Sequence, residues 1–207
     1  MQRKKINKTI KRWKKYSEIS NLGPISRRYF VMNAFDGALT MLGVIIGAYF
    51  SGFLKPITII SAGIAGSIAM GTSGMSGAYM TEKAERTKKI KDIEKAMLTG
   101  MKNGIHRKSH RFASIYTAIV DGVSPALAAM AVISPFFMVN FGIISTEIAF
   151  WLSIIITLIV LLLLGFYLAK ISDENMLKYG IQMLIIGLIT AFLCVGVAIL
   201  LGGNSPI

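Results

Sequence analysis

The chain has 207 residues, of which 54% are hydrophobic and 16% are charged, and its formal net charge is +13. With a mean hydropathy of +0.61, this composition excludes an ordinary soluble domain. The single cysteine also excludes an intramolecular disulfide and a thiolate metal cluster.

Five apolar runs are each long enough to cross a bilayer as a helix, which takes about 20 residues. They predict an all-α integral membrane protein with five transmembrane helices. A soluble helical bundle is excluded, because such runs leave almost no polar face for water. The predicted spans cover residues 31–54, 56–81, 113–138, 147–169 and 179–201. The predicted segments are a basic N-terminal arm (1–29), the first two spans (30–81), a basic helical segment (82–112) and the last three spans (113–207).

The basic residues are concentrated on one side of this predicted topology. Residues 1–30 and residues 82–111 carry ten Lys or Arg each, whereas the opposite side has only Lys55. By the positive-inside rule, the N-terminus is cytoplasmic, and five spans then place the C-terminus outside. Because this bias explains the net charge, anionic lipid headgroups are the expected partners and nucleic acid is not. The expected location is the plasma membrane of a prokaryote.

In the N-terminal arm, Ile6, Ile10 and Trp13 recur at helical spacing among lysines. This pattern is typical of a basic helix lying on the inner leaflet, and a disordered basic tail is the alternative. Gly23 and Pro24 follow, and they predict a break in any helix before the first span.

The first span opens with a carboxylate. After Asp36, residues 37–54 are uncharged, so this side chain lies a few residues inside an apolar segment. A carboxylate at the centre of a spanning helix costs about 2.5–3.5 kcal/mol on insertion scales. We therefore expect Asp36 to serve an ion, a proton or a buried partner.

The second span is rich in glycine and methionine and is predicted to continue as a helix into the cytoplasm. Its Met75 is a candidate ligand, because a thioether is soft and easily displaced. Glu82 and Glu85 follow at helical spacing and could hold a divalent cation together. Alternatively, they pair with Arg86 and Lys89 on a solvated face of the helix.

The third span repeats the Asp-Gly pair of the first span at Asp121. Two aspartates inside a membrane must each find a cation, a proton or a hydrogen-bond donor, so Asp121 is a further candidate metal ligand. Pro125 and Pro135 are expected to break this helix locally and so free carbonyl groups. His106 and His110, four residues apart before the span, form a less favoured candidate metal pair.

The last two spans contain few polar groups and are predicted to be a lipid-facing scaffold. Residues 172–175 (Ser-Asp-Glu-Asn) are expected to cap the start of the fifth span. No paired catalytic carboxylates, nucleophile motif or phosphate loop is visible, so neither an enzyme nor a cofactor is predicted.

Three stretches carry a resemblance to the vacuolar iron transporter family. The first span opens with an Asp-Gly-x-x-Thr pattern, the second ends in small residues with a Met before a cytoplasmic helix, and the third has a Gly/Pro-rich stretch. In this chain these stretches are Asp36-Gly37-x-x-Thr40-x-x-Gly43, Met75-Ser-Gly-Ala-Tyr79 and Gly122-Val-Ser-Pro125. The resemblance covers roughly residues 27–201.

This resemblance implies a homodimer that moves Fe²⁺ or Mn²⁺ out of the cytosol in exchange for protons. It implies Asp36 as a metal ligand and, offset by about one residue, Met75. The family's next carboxylate is replaced by Ala78, so either Asp121 supplies the missing group or transport is altered or lost. The family's glutamate-rich cytoplasmic domain corresponds here to a short basic segment. The alternative function is a non-transporting membrane interaction protein with a degenerate metal site.

Overall fold

Five helices make up most of the computed structural model, which describes residues 13, 15–20, 22–98 and 105–203, with the side chains of residues 105 and 106 excluded. Each of the five is long and apolar enough to cross a membrane, which confirms the all-α integral membrane fold. The helices are α1 (Leu22–Phe50), α2 (Pro56–Met97), α3 (Ile105–Asn140), α4 (Thr146–Ser172) and α5 (Met176–Leu200). Residues 15–19 are also helical. Ile6 and Ile10 lie outside the described residues.

The first helix begins earlier than the predicted span. It starts at Leu22, with Gly23 and Pro24 in its first turn. These two residues therefore begin a helix and do not break it, so the predicted break is wrong in its position; a turn at Ser20 precedes the helix instead. The physical reason is that N–H groups of a first turn have no partner within the helix, so the proline sacrifices no hydrogen bond there.

The second helix continues well beyond the predicted span, as the sequence predicted. It extends as one helix from Pro56 to Met97 and so includes the charged segment that follows the span. Its C-terminal part is buried along one narrow stripe, formed by Ala78, Glu82, Arg86 and Ile90.

The third helix runs without interruption through both of its prolines, so the predicted breaks are wrong. Pro135 lacks the N–H that would donate to the carbonyl of Ala131. The hydroxyl of Ser134 donates to that carbonyl instead, at 2.7 Å. A local side chain thus compensates for the missing donor, as happens in membrane helices that retain proline.

The chain divides into two compact units. The first unit comprises the described residues within 1–30 and 72–123, which include the start of α1, the C-terminal part of α2 and the N-terminal part of α3. The second unit comprises the described residues within 31–71 and 124–207, which include the rest of these three helices together with α4 and α5.

Close backbone contacts between helices characterise the second unit. A Cβ placed on Gly37 of α1 would lie 2.2 Å from the carbonyl oxygen of Pro125 in α3. A Cβ on Gly165 of α4 would lie 2.8 Å from the Cα of Gly180 in α5. Small residues allow membrane helices to approach in this way, so that dispersion contacts replace the hydrophobic drive that lipid does not provide.

The last helix exposes most of its side chains. Of its residues, only Gly180 and Gly187 are buried, both on the side that packs on α4. Its start is capped by Asn175, whose side chain accepts a hydrogen bond from the N–H of Leu177 at 2.9 Å. The predicted cap is therefore present, and the exposure of α5 agrees with a lipid-facing helix.

Candidate metal-transport site

Asp36 lies in the second unit on an exposed face of α1. Its neighbours Ala34 and Ala38 are buried, whereas Asp36 and Thr40, one turn later, are both exposed. The carboxylate therefore lies on the surface of a single copy of the chain, on a helix that is apolar beyond it. Such a face needs a polar partner if lipid surrounds the helix.

Asp121 has the opposite environment. It lies in the first unit on α3 and is 5% exposed. A Cβ placed on Gly74 of α2 would lie 2.7 Å from the Oδ2 of Asp121, so glycine at position 74 leaves room for the carboxylate against the α2 backbone.

Asp121 continues a buried polar row on α3. Ser114 and Thr117, which precede it at helical spacing, are 2% and 0% exposed. The hydroxyl of Ser114 donates to the carbonyl of His110 at 3.1 Å, whereas the Oγ1 of Thr117 has no hydrogen-bond partner. A buried polar atom without a partner is costly and rare in native proteins. This row therefore offers hydroxyl groups on the same side of α3 as the carboxylate.

Met75 follows Gly74 on α2 but has a different environment. Its side chain is 41% exposed, and successive residues of an α-helix point about 100° apart. The α2 face that receives the carboxylate of Asp121 is the face of Gly74, and Met75 lies on the adjacent face. Ala78, which is predicted from the family resemblance to replace a glutamate, is 5% exposed.

Glu82 and Glu85 differ in their surroundings although they share one helix of the first unit. Glu82 is buried, and its Oε2 lies 2.8 Å from the Nε of Arg86, which is also buried. Glu85 is exposed. The pairing with Arg86 that the sequence offered as an alternative is thus present, but it is buried and not solvated. The charges of Glu82 and Asp121 both act on the side chain of Tyr29, which lies near them.

His110 contacts the same arginine. Its Nδ1 lies 3.2 Å from the Nη1 of Arg86. Because a guanidinium can only donate, Nδ1 is the acceptor, and the ring proton is on Nε2. His110 thus packs in a polar network with Arg86, and the side chain of His106, its proposed partner, lies outside the described residues.

Within the described part of the chain, no three His, Cys, Asp or Glu side chains lie close enough together to hold a metal ion. The roles of Asp36, Met75, Asp121, Glu82 and Glu85 as metal ligands remain predictions.

The sequence did not reveal how three residues shape these environments. Gly74 leaves room for the carboxylate of Asp121, Thr117 has a buried hydroxyl without a hydrogen-bond partner, and Arg86 is a buried charge that pairs with Glu82. The spacing of Glu82 and Arg86 was visible in the sequence. Their burial was not, because it depends on which side of α2 is covered.

Two comparisons with known proteins bear on the chain. A family model described as the VIT family matches residues 86–199, a segment that contains Arg86 and Asp121. An uncharacterized protein of the archaeon Methanocaldococcus jannaschii is 35% identical over 177 residues, which is 83% of this chain and 88% of that protein.

Proposed function

The chain belongs to the vacuolar iron transporter (VIT) family, which suggests a membrane metal-ion transporter, and on that premise we propose that it moves Fe²⁺ or Mn²⁺ out of the cytosol in exchange for protons. The observation that carries this proposal is the exposed carboxylate of Asp36 on a membrane-spanning helix. A charge that faces lipid is costly unless an ion, a proton or a polar partner satisfies it.

A homodimer would give this carboxylate a polar environment. Asp36 and Thr40 lie on one exposed face of α1, and a second copy packed on that face would bring two carboxylates and two hydroxyls together. Oxygen ligands of this kind suit Mn²⁺ and Fe²⁺, and a thioether ligand, the role predicted for Met75, would favour a transition metal over Ca²⁺ or Mg²⁺. The lack of a three-residue ligand cluster within one described chain also supports a shared site.

Exchange with protons would follow from the same carboxylates. A carboxylate must be deprotonated to bind a metal ion, so metal binding and protonation of Asp36 or Asp121 compete. A proton gradient that loads these groups from the outer side would then drive metal release on that side. Export from the cytosol is the direction that the family resemblance implies.

A specific observation favours the second candidate function, a non-transporting membrane interaction protein. Ala78 is buried, and the family resemblance implies that it replaces a glutamate, so α2 lacks a carboxylate at that one position. If Asp121 does not replace the missing group, the metal site would be degenerate, and the basic segments would bind lipid or a partner.

Transport into proteoliposomes distinguishes the two functions. We expect the purified protein to move Fe²⁺ or Mn²⁺ when a pH gradient is imposed, and the Asp36→Asn variant to lose this transport because the amide cannot carry the negative charge. Glu147→Gln is the matched control, since it removes an exposed carboxylate near the start of α4 and should leave transport intact. Full transport by Asp36→Asn would contradict the proposed site, and a wild-type protein inactive with every divalent metal would favour the interaction protein.

A further inference from the structure

A strongly basic cavity of about 300 Å³ lies in the first unit between α2 and α3. Four of the residues that line it carry fixed positive charges: Lys83 and Arg86 on α2, and Arg107 and Arg111 on α3. No carboxylate is among the described residues that line it. Like charges gathered around one cavity repel each other, so an anion in the cavity would lower their electrostatic energy.

Arg86, which lines this cavity, has one buried hydrogen-bonding position that is unused. Its Nε donates to Glu82, and its Nη1 contacts the Ser20 carbonyl at 3.4 Å and the Nδ1 of His110 at 3.2 Å. Its Nη2 is buried and has no hydrogen-bond partner. A buried, charged donor without a partner is costly, so a ligand that enters the cavity and reaches this atom would be stabilised by it.

The other lining residues supply donors in defined positions. The Nζ of Lys83 lies over the ring of Tyr79, 5.5 Å from its centroid, which restricts the lysine side chain. His110 also lines the cavity, and its Nδ1 lies 3.2 Å from the Nη1 of Arg86. Arg107 lies in the first turn of α3, where the helix dipole adds positive potential, and Arg111 follows one turn later.

We propose that this cavity binds a phosphate group, either as free phosphate or as the phosphate of an anionic lipid headgroup. Guanidinium forks match the oxygens of a phosphate, and the charge of a phosphate suits four cations better than a single carboxylate does. The positive lining makes the cavity unsuitable for a metal ion. The proposal does not depend on metal transport, and its one link to the predicted metal ligands is the contact of Arg86 with Glu82.

The position of the cavity fits either source of phosphate. Lys83 follows the end of the predicted second span, and Arg111 precedes the start of the predicted third span. The cavity therefore lies where the two helices are predicted to leave the bilayer on the cytoplasmic side, a level at which lipid headgroups and dissolved anions both occur.

A charge-matched pair of double variants tests the proposal on the purified protein, in detergent for the first arm and in nanodiscs for the second. Arg107→Gln/Arg111→Gln removes two exposed cations of the cavity, and Lys95→Gln/Lys178→Gln removes two exposed cations elsewhere.

Binding is measured as the shift in melting temperature, first with inorganic phosphate against sodium chloride at equal ionic strength. The second arm uses phosphatidic acid against phosphatidylcholine in nanodiscs. Size-exclusion chromatography checks folding, and Arg111→Gln against Lys95→Gln replaces the double variants if they do not purify.

We expect a phosphate ligand to stabilise the wild-type protein and the control, and the cavity variant to bind it at least about tenfold more weakly, because charge-assisted hydrogen bonds contribute on that scale. Stabilisation by inorganic phosphate identifies a free-phosphate site, and stabilisation by phosphatidic acid alone identifies a lipid site. The proposal is overturned if neither ligand stabilises the wild-type protein. It is also overturned if both variants weaken binding equally, since the effect would then come from the basic surface as a whole.

Discussion

At the scale of single residues, two identical Asp-Gly pairs have opposite environments. Asp36 is exposed on α1 in the second unit, whereas Asp121 is buried on α3 in the first unit, against Gly74 of α2. A carboxylate on an exposed face can be reached by a second copy or by an ion from outside the chain. A buried carboxylate depends on the groups of its own unit.

The buried ion pair of α2 leads to a prediction on stability. We expect Glu82→Ala to destabilise the protein by about 3–5 kcal/mol, because Arg86 would then be buried without its carboxylate. Glu85→Ala, on the same helix but at an exposed position, should change stability by no more than about 0.5 kcal/mol. Thermal unfolding in detergent measures both variants. Equal effects would mean that Arg86 finds another partner.

At the scale of the elements, the approach of α1 to α3 leads to a second prediction. A Cβ on Gly37 would meet the backbone of Pro125, which cannot move aside as a side chain can. We expect Gly37→Ala to cost about 1–3 kcal/mol of stability. Gly47→Ala is the control on the same helix, since its Cβ would meet nothing within 4 Å, and it should be neutral or stabilising by up to about 1 kcal/mol. Similar melting temperatures for the two variants would show that the helices can separate at little cost.

The uninterrupted course of α3 leads to a third prediction. We expect Ser134→Ala to cost about 0.5–1.5 kcal/mol, because the Ala131 carbonyl would lose the donor that compensates for Pro135. In a Pro135→Ala background the same change should cost less, since the new N–H at position 135 can donate to that carbonyl. A double-mutant cycle on melting temperature gives the coupling. Equal costs in both backgrounds would mean that the hydroxyl does not replace the missing N–H.

At the scale of the whole molecule, the orientation in the membrane remains a prediction from the basic bias. In a Cys194→Ser background, we expect Glu147→Cys to react with a membrane-impermeant maleimide on intact cells, because the positive-inside rule places it outside. Lys88→Cys should react only after the cells are permeabilised. The reverse labelling pattern would place the basic segments, and with them the phosphate cavity, on the outer side.

The sequence by itself determined the fold class, the five spans and the family. Long apolar runs can satisfy their backbone groups in lipid only as helices, so their length and number follow from composition alone. The Asp36 motif and the small-residue stretch of α2 were enough to indicate the family. The cap at Asn175 was also predictable, because capping depends on a few consecutive residues.

Only the tertiary structure decided which polar groups are buried and what they contact. The helical spacing of Glu82, Glu85 and Arg86 was visible in the sequence, but the burial of Glu82 and Arg86 depends on the α2 face that is covered. The predicted break at Pro135 was wrong, because the donor to the Ala131 carbonyl comes from a side chain whose rotamer no spacing rule gives. The basic cavity likewise combines residues of two helices that are separate in the sequence. Helix formation is a local property, whereas burial and charge clustering arise from contacts between elements.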